Sequence, residues 1–230
     1  MSVQRILAIF EKDIKDFPKN MALLMLPVSN ALLALIYSLT FDGELPIKLL
    51  YVIIGATLSM VTSGIMMSMI AEENEKNTMR GLIQSPASLL DIIIGKSLVT
   101  GIITVISLMV SLIIVGIEPF LNFRAIIGLI LLFLFFLLLG IGIGLFSKSL
   151  AATSGYLMPV MFLFGFTPMI ATFQFAKDSM IVRVTNTFPI MQAIELYQKS
   201  FWLPLCIIAI WIIGAALFTY VCFRKVMTDD

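Results

Sequence analysis

The residues able to do chemistry are few, and they cluster. Glu72 and Glu73 stand side by side just past a long apolar run, the kind of carboxylate pair a metal-dependent or acid–base hydrolase would use. Such a site needs histidine as a ligand or base, and none of the 230 residues is histidine. The two cysteines, Cys206 and Cys222, share one apolar run and suit neither a disulfide framework nor a thiolate metal site. Met60, Met66, Met67 and Met69 carry thioethers of the kind that hold Cu(I). Methionine more commonly fills irregular gaps and yields to varied partners, and that is the reading adopted. No G-x-x-x-x-G-K-[ST] loop occurs, so the chain offers no such cradle for nucleotide phosphates. No metal, cofactor or catalytic residue is expected on it.

The elements that must hold these residues are apolar helices. Hydrophobic residues make up 60% of the chain and charged ones 13%, with a mean hydropathy of +1.07, far above a soluble domain's balance. Six segments reach the ~20 apolar residues that cross a bilayer: about 20–41, 49–71, 92–117, 125–146, 154–173 and 203–223. None carries Asp, Glu, Lys or Arg in its middle, so a titratable relay of the kind ion-coupled carriers use is absent. Before them, Val3, Ile6, Leu7, Phe10, Ile14 and Phe17 fall on one face of a helix, with Arg5, Lys12, Lys15 and Asp16 elsewhere. A short basic amphipathic helix running into a span is expected to lie flat in the headgroup layer. The expectation is an all-α polytopic membrane protein of one domain, 1–230, with an interfacial helix at 1–19 and an external re-entrant segment at 174–202. Pro159 and Pro168 predict a kink in the fifth span, and Gly140 with Gly144 a close helix contact. With the N-terminus inside, ten of the fifteen Lys and Arg face the cytoplasm, which places both termini there.

The stretch from Ala71 to Lys96, AEENEKNTMRGLIQSPASLLDIIIGK, is the longest polar interruption. Unpaired backbone and charge are costly in lipid, so its polar loop, 72–91, belongs in the cytoplasm, held by the spans it joins. Residues 73–84 read as a short helix. Ser85 is expected to cap the next helix, with Pro86 at its first position, running unbroken to Ile117 over roughly 48 Å.

At these residues the chain resembles the permease subunits of type-2 ABC transporters, mainly bacterial exporters. The matching features are Glu72-Glu73, then EKNTMRGLIQSPAS, then Ile94-Gly95-Lys96 leading into the third span. Asn77-Thr78 stands where the family commonly has Gly-Thr, and Arg80-Gly81 where an acidic residue and a helix former are usual. The order of parts along the whole chain matches as well. The resemblance implies an elbow helix at 1–19 and a coupling helix docking on a separate ABC ATPase subunit. Glu72, Glu73, Glu75, Asn77, Thr78, Arg80, Leu82, Ser85 and Pro86 would supply that contact, or the glutamates would form an ionic hinge with Lys76 or Arg80. It further implies a second permease subunit, identical or related, ATP and Mg held by the partner subunit, and residence in the bacterial cytoplasmic membrane. No nucleic-acid partner is expected.

Hydroxyls inside the second span, Ser59, Thr62 and Ser63, with Ser29 and Met66, would either line a cavity between two subunits or bond neighbouring helices. A cavity of methionine, phenylalanine and hydroxyls would suit a drug, a lipid or an apolar peptide. Three functions remain open at this point. They are the permease of an ATP-driven exporter working by alternating access, an ATP-independent channel or facilitator, and a membrane scaffold or immunity protein that sequesters a toxin.

Overall fold

The computed structural model describes residues 2–41, 43–76, 88–170, 173 and 179–228. Among them every regular element is helical. The amphipathic helix α1 (Val3–Asp16) leads through a 3-10 turn, Phe17–Lys19, into α2 (Met21–Thr40). The second span is three pieces in series: α3 (Ile47–Ala56), a π-helical segment (Thr57–Ser63) and α4 (Gly64–Glu75). Then come α5 (Leu89–Val115), α6 (Phe123–Phe146) and α7 (Leu150–Val160), the last continued by a π-helical segment, Met161–Gly165. The short helices α8 (Thr167–Ile170), α9 (Met180–Asn186) and α10 (Pro189–Gln198) precede the final α11 (Trp202–Thr228).

Among the described residues, five helices are long and apolar enough to cross a membrane, where six such segments were expected. The fifth apolar segment is a shorter helix, Leu150–Gly165, which rises about 24 Å against a hydrocarbon core of about 30 Å. The reason lies in its prolines. Pro159 removes a helical donor, and the ladder then widens into the π-helical segment. Phe166 leaves helical geometry two residues before Pro168.

The second span is the central one: 89% of its apolar window is buried, against 39% for α5 and α6 and 17% for α2 and α11. Leu50 to Ala56 are all buried. It lies directly against α6 because glycine removes the side chains between them. A Cβ on Gly144 would stand 3.0 Å from the Met67 Cα, and one on Gly140 2.9 Å from the Ser63 Cα. Gly142, on the opposite face, admits the Phe218 ring of α11. Midway along the span the two π-helical segments meet, and near there Gly55 and Gly165 approach backbone to backbone.

The segment before α11 folds as a short helix packed into the bundle. Pro189 sits in the first turn of α10, whose residues Ile190, Ala193 and Leu196 are buried. The Trp211 indole N–H donates to the Thr187 carbonyl at 2.8 Å, and the ring stacks on Phe188.

These contacts predict opposite outcomes for two glycines. Gly144→Ala forces two backbones apart and is expected to cost about 1–3 kcal/mol, read as a lower unfolding temperature in detergent. Gly214→Ala meets nothing within 4 Å and should gain up to about 1 kcal/mol of helix propensity, raising that temperature. Equal effects at both positions would contradict the packing described.

Candidate functional site

Glu72 to Glu75 end the second span, and the four side chains diverge. Successive residues on an α-helix point about 100° apart, so a helix ending amid a bundle can reach a different neighbour with each. Glu73 is buried. Its Oε1 accepts from the Lys96 Nζ of α5 at 3.2 Å and from the Lys12 Nζ of α1 at 3.0 Å. Lys96 also donates to Asp13 Oδ2 of α1 at 3.0 Å. Lys96, Asp13 and Glu73 are only 2%, 5% and 7% exposed. Three elements far apart in sequence therefore share one buried ionic cluster.

Local structure aims each member. On α1, Asp13 falls in the stripe of Ile6, Phe10 and Phe17, so docking that stripe carries the carboxylate inward. Gly95 lets α1 approach α5, since a Cβ there would meet Ile9 at 2.8 Å. Val3 and Leu7 remain exposed on α1. The start of α5 is pinned as well. Ser88 and Asp91 form a reciprocal capping box, and the Ser2 backbone N–H donates to Asp91 Oδ1 at 3.3 Å. The third-span helix from Leu89 is thus capped by Ser88, which has an acidic residue three positions on. Ser85, the expected cap, lies outside the described residues. The helix ends at Gly116, whose φ of +107° suits glycine, and spans about 40 Å where 48 Å was expected.

The other glutamates are also engaged. Glu72 pairs with Lys76 one turn on, a half-exposed contact. Glu75 Oε2 accepts from the Leu150 N–H at the start of α7, at 2.6 Å. Between them, the Asn74 amide donates to the carbonyls of Gly144 and Ser147 at the end of α6. Of the residues expected to touch an ATPase, Glu73 is therefore turned into the bundle, and Glu75 is held by the α6–α7 turn. Asn77, Thr78, Arg80, Leu82, Ser85 and Pro86 lie outside the described residues.

The residues expected along a cavity sit in helix contacts within this chain. Thr62 and Thr104 share a hydrogen bond at 3.0 Å, Ser63 donates to the Phe136 carbonyl at 2.6 Å, and Ser59 to the Gly55 carbonyl. The Thr100 hydroxyl reaches the Met66 sulfur, and the half-buried Ser29 turns back to the Leu26 carbonyl. Together they border a polar seam along α5. Lys96, Thr100, Thr104, Ser107 and Ser111 recur every three or four residues on its inner face, all buried. Asn30 bridges the far end, donating to Thr57 and Ser111. Sequence reasoning missed Asp13, Asn74 and the pairing of Lys96. The available signals were an aspartate inside an apolar stripe and a lysine in register with buried hydroxyls.

A cleft of about 280 Å³ opens beside the cluster, bounded by Asp16, Phe17, Asn20, Met69 and Lys76 among others. Charges at its mouth tune one another. Burial disfavours the Lys12 ammonium, but hydrogen bonding to Glu73 and its charge outweigh that and raise the pKa above 10.5. Lys19 lowers the exposed Asp16 carboxyl, and Glu72 raises Lys76. Because the folded value of Lys12 is raised, its contribution is complete below pH 10.5 and is lost only as pH climbs through the folded value. Its part in holding α1 is therefore constant across neutral pH.

Lys96→Met would strand two buried carboxylates and is expected to cost about 3–5 kcal/mol in unfolding measurements. Adding Asp13→Asn and Glu73→Gln should recover most of that loss. Lys12→Met, whose side chain is 52% exposed, should cost no more than about 1 kcal/mol. A Lys96→Met protein as stable as the parent would refute the cluster.

No curated protein matches the chain in sequence. Residues 46–223 match the family described as ABC-2 family transporter protein, from the second span to the last. That match covers well over half of the chain. Together with the bundle of long apolar helices, it makes this protein a multi-pass membrane protein of the ABC-2 transporter family, a permease subunit of an ABC transporter.

Proposed function

We propose that this chain is the membrane path of an ATP-driven exporter, powered by a separate ABC ATPase subunit that docks between Glu75 and Ser88. The observation that carries this reading is the buried ionic cluster of Asp13, Glu73 and Lys96 at the foot of α4 and α5. Those two helices flank the docking segment, and the cluster ties both to α1. A push on the segment is thereby delivered to three elements together. Asn77, Thr78, Arg80, Leu82, Ser85 and Pro86 supply the contact, with Glu72 at its edge. ATP and Mg are held by the partner.

A second permease subunit, identical or related, completes the path, and alternating access moves cargo from cytoplasm to exterior. A cleft of about 450 Å³ between α2, α4 and α7 supports a choice of cargo. Leu23, Leu26, Met67 and Leu157 offer it apolar walls, and Ser68, Thr153 and Ser154 offer hydroxyls. That mixture suits an amphipathic or hydrophobic molecule such as a drug, a lipid or an apolar peptide. The hydroxyl face of Ser59, Thr62 and Ser63 lies deeper along the same span. The excess of Lys and Arg on the N-terminal side supports both termini inside a bacterial cytoplasmic membrane.

The test is co-purification with candidate ABC ATPases and ATP turnover in lipid, for the native chain and for one with Thr78 to Gln84 replaced by a Gly/Ser linker. Capture by the native chain alone is expected. If neither form captures an ATPase, the exporter reading falls, and flux assays then decide for a channel and toxin-binding assays for a sequestering protein. Leu157→Trp should narrow the cleft and cut transport at least tenfold while leaving ATPase capture unchanged.

A further inference from the structure

Asn74 and Glu75 do something the ionic cluster does not explain. Both reach away from α1 and α5, to the turn that joins α6 to α7. The Asn74 amide donates to the carbonyls of Gly144 at 3.3 Å and Ser147 at 3.0 Å. Ser147 is the C-cap residue of α6, and the Gly144 carbonyl also takes the Ser147 N–H at 3.3 Å, so the amide adds to the bonds that close this end. Glu75 accepts from the Leu150 N–H at 2.6 Å. This is an N–H left free by the start of α7, where the helix dipole favours a carboxylate. Ser149 supplies the ordinary cap to Ala152. One dipeptide therefore closes both ends of the same turn, and it lies 70 to 75 residues away in sequence.

The packing around it leaves little slack. Gly144 holds α6 against Met67 and Ile70 of α4 at backbone distance, so the turn cannot slide along α4. The compliant points lie farther up. The second span and α7 each change to π-helical geometry, at Thr57–Ser63 and Met161–Gly165, and the two segments touch. A π-helical stretch inside an α-helix is where the ladder can shift register.

We propose that Asn74 and Glu75 are positioning residues that make the α6–α7 turn part of the lever, so that α7 travels with α4 as one block. The block bends where the two π-helical segments meet. The inference rests on the exporter reading. It adds that the stroke received between Glu75 and Ser88 reaches α7 through this dipeptide, and not through a contact of the ATPase with the α6–α7 turn.

The experiment uses the reconstituted permease–ATPase complex with Cys206 and Cys222 replaced by serine. Glu75→Cys with Leu150→Cys breaks the clamp when reduced and restores it when bridged by a short bifunctional thiol reagent. Expected results are a fall in ATP turnover of at least fivefold in the reduced form, at unchanged complex yield, and recovery to within twofold on bridging. Glu75→Gln keeps a carbonyl acceptor for Leu150 and should retain most turnover, whereas Glu75→Leu and Asn74→Leu should not. Bridging that stops turnover would mean the two ends must part during the cycle, and normal turnover in the reduced form would mean the clamp carries nothing. Either result overturns the proposal. If no ATPase is captured by the parent chain, the exporter reading fails by itself. The clamp is then judged on the chain alone, where Glu75→Leu must speed amide exchange at Leu150 to Ala152 at least tenfold. Unchanged exchange overturns it.

Discussion

Burying a charge among apolar helices is tolerable only when its partners are buried with it. Lys96 is the clearest case here, 2% exposed and set in a largely apolar helix. Its ammonium needs Asp13 from α1 and Glu73 from α4, so the three elements are found together or not at all. Much else follows from that constraint. The amphipathic helix is fixed against α5, α4 and α5 are fixed to each other at one end, and the segment between them leaves from a defined place. The contribution is specificity of arrangement more than net stability, because desolvation offsets a large part of the Coulombic gain.

Around this fixed foot the interior is built by absence. Gly95, Gly140, Gly142 and Gly144 remove side chains where helices must touch, and each contact brings backbone within about 3 Å of where a Cβ would be, or a ring closer still. Without a hydrophobic drive between helices in lipid, such close packing and interhelical hydrogen bonds are what hold a bundle. The seam from Lys96 to Ser111 supplies the second kind. The central position of the second span thus comes from small residues on α6 and hydroxyls on α5, not from its hydropathy, which is no greater than that of its neighbours.

For transport, the arrangement separates a stiff end from a compliant one. The foot of α4 is bonded to α1, α5, α6 and α7 through Glu73, Asn74 and Glu75. The middle of the span carries a π-helical stretch facing another that continues α7. A force applied at a stiff end is transmitted with little loss, and it is expressed where the ladder yields.

The sequence by itself determined the class of protein: apolar runs, no histidine, no phosphate loop, an amphipathic start and one polar loop. These are local properties, and hydropathy, periodicity and composition report them directly. The same local reading found the Gly140–Gly144 face and the break near Pro159. It overestimated the fifth span, because counting apolar residues ignores how a proline and a widened ladder shorten a helix. Only the tertiary structure decided which charges meet. Asp13 and Lys96 are 83 residues apart, and Glu75 and Leu150 are 75 apart. Whether they touch depends on how the helices cross and on which face each presents, and no local window contains that information. Glu73 and Glu75 are alike in sequence, two residues apart in the same polar loop. About 200° of helix rotation sends one into the bundle and the other to a neighbouring turn.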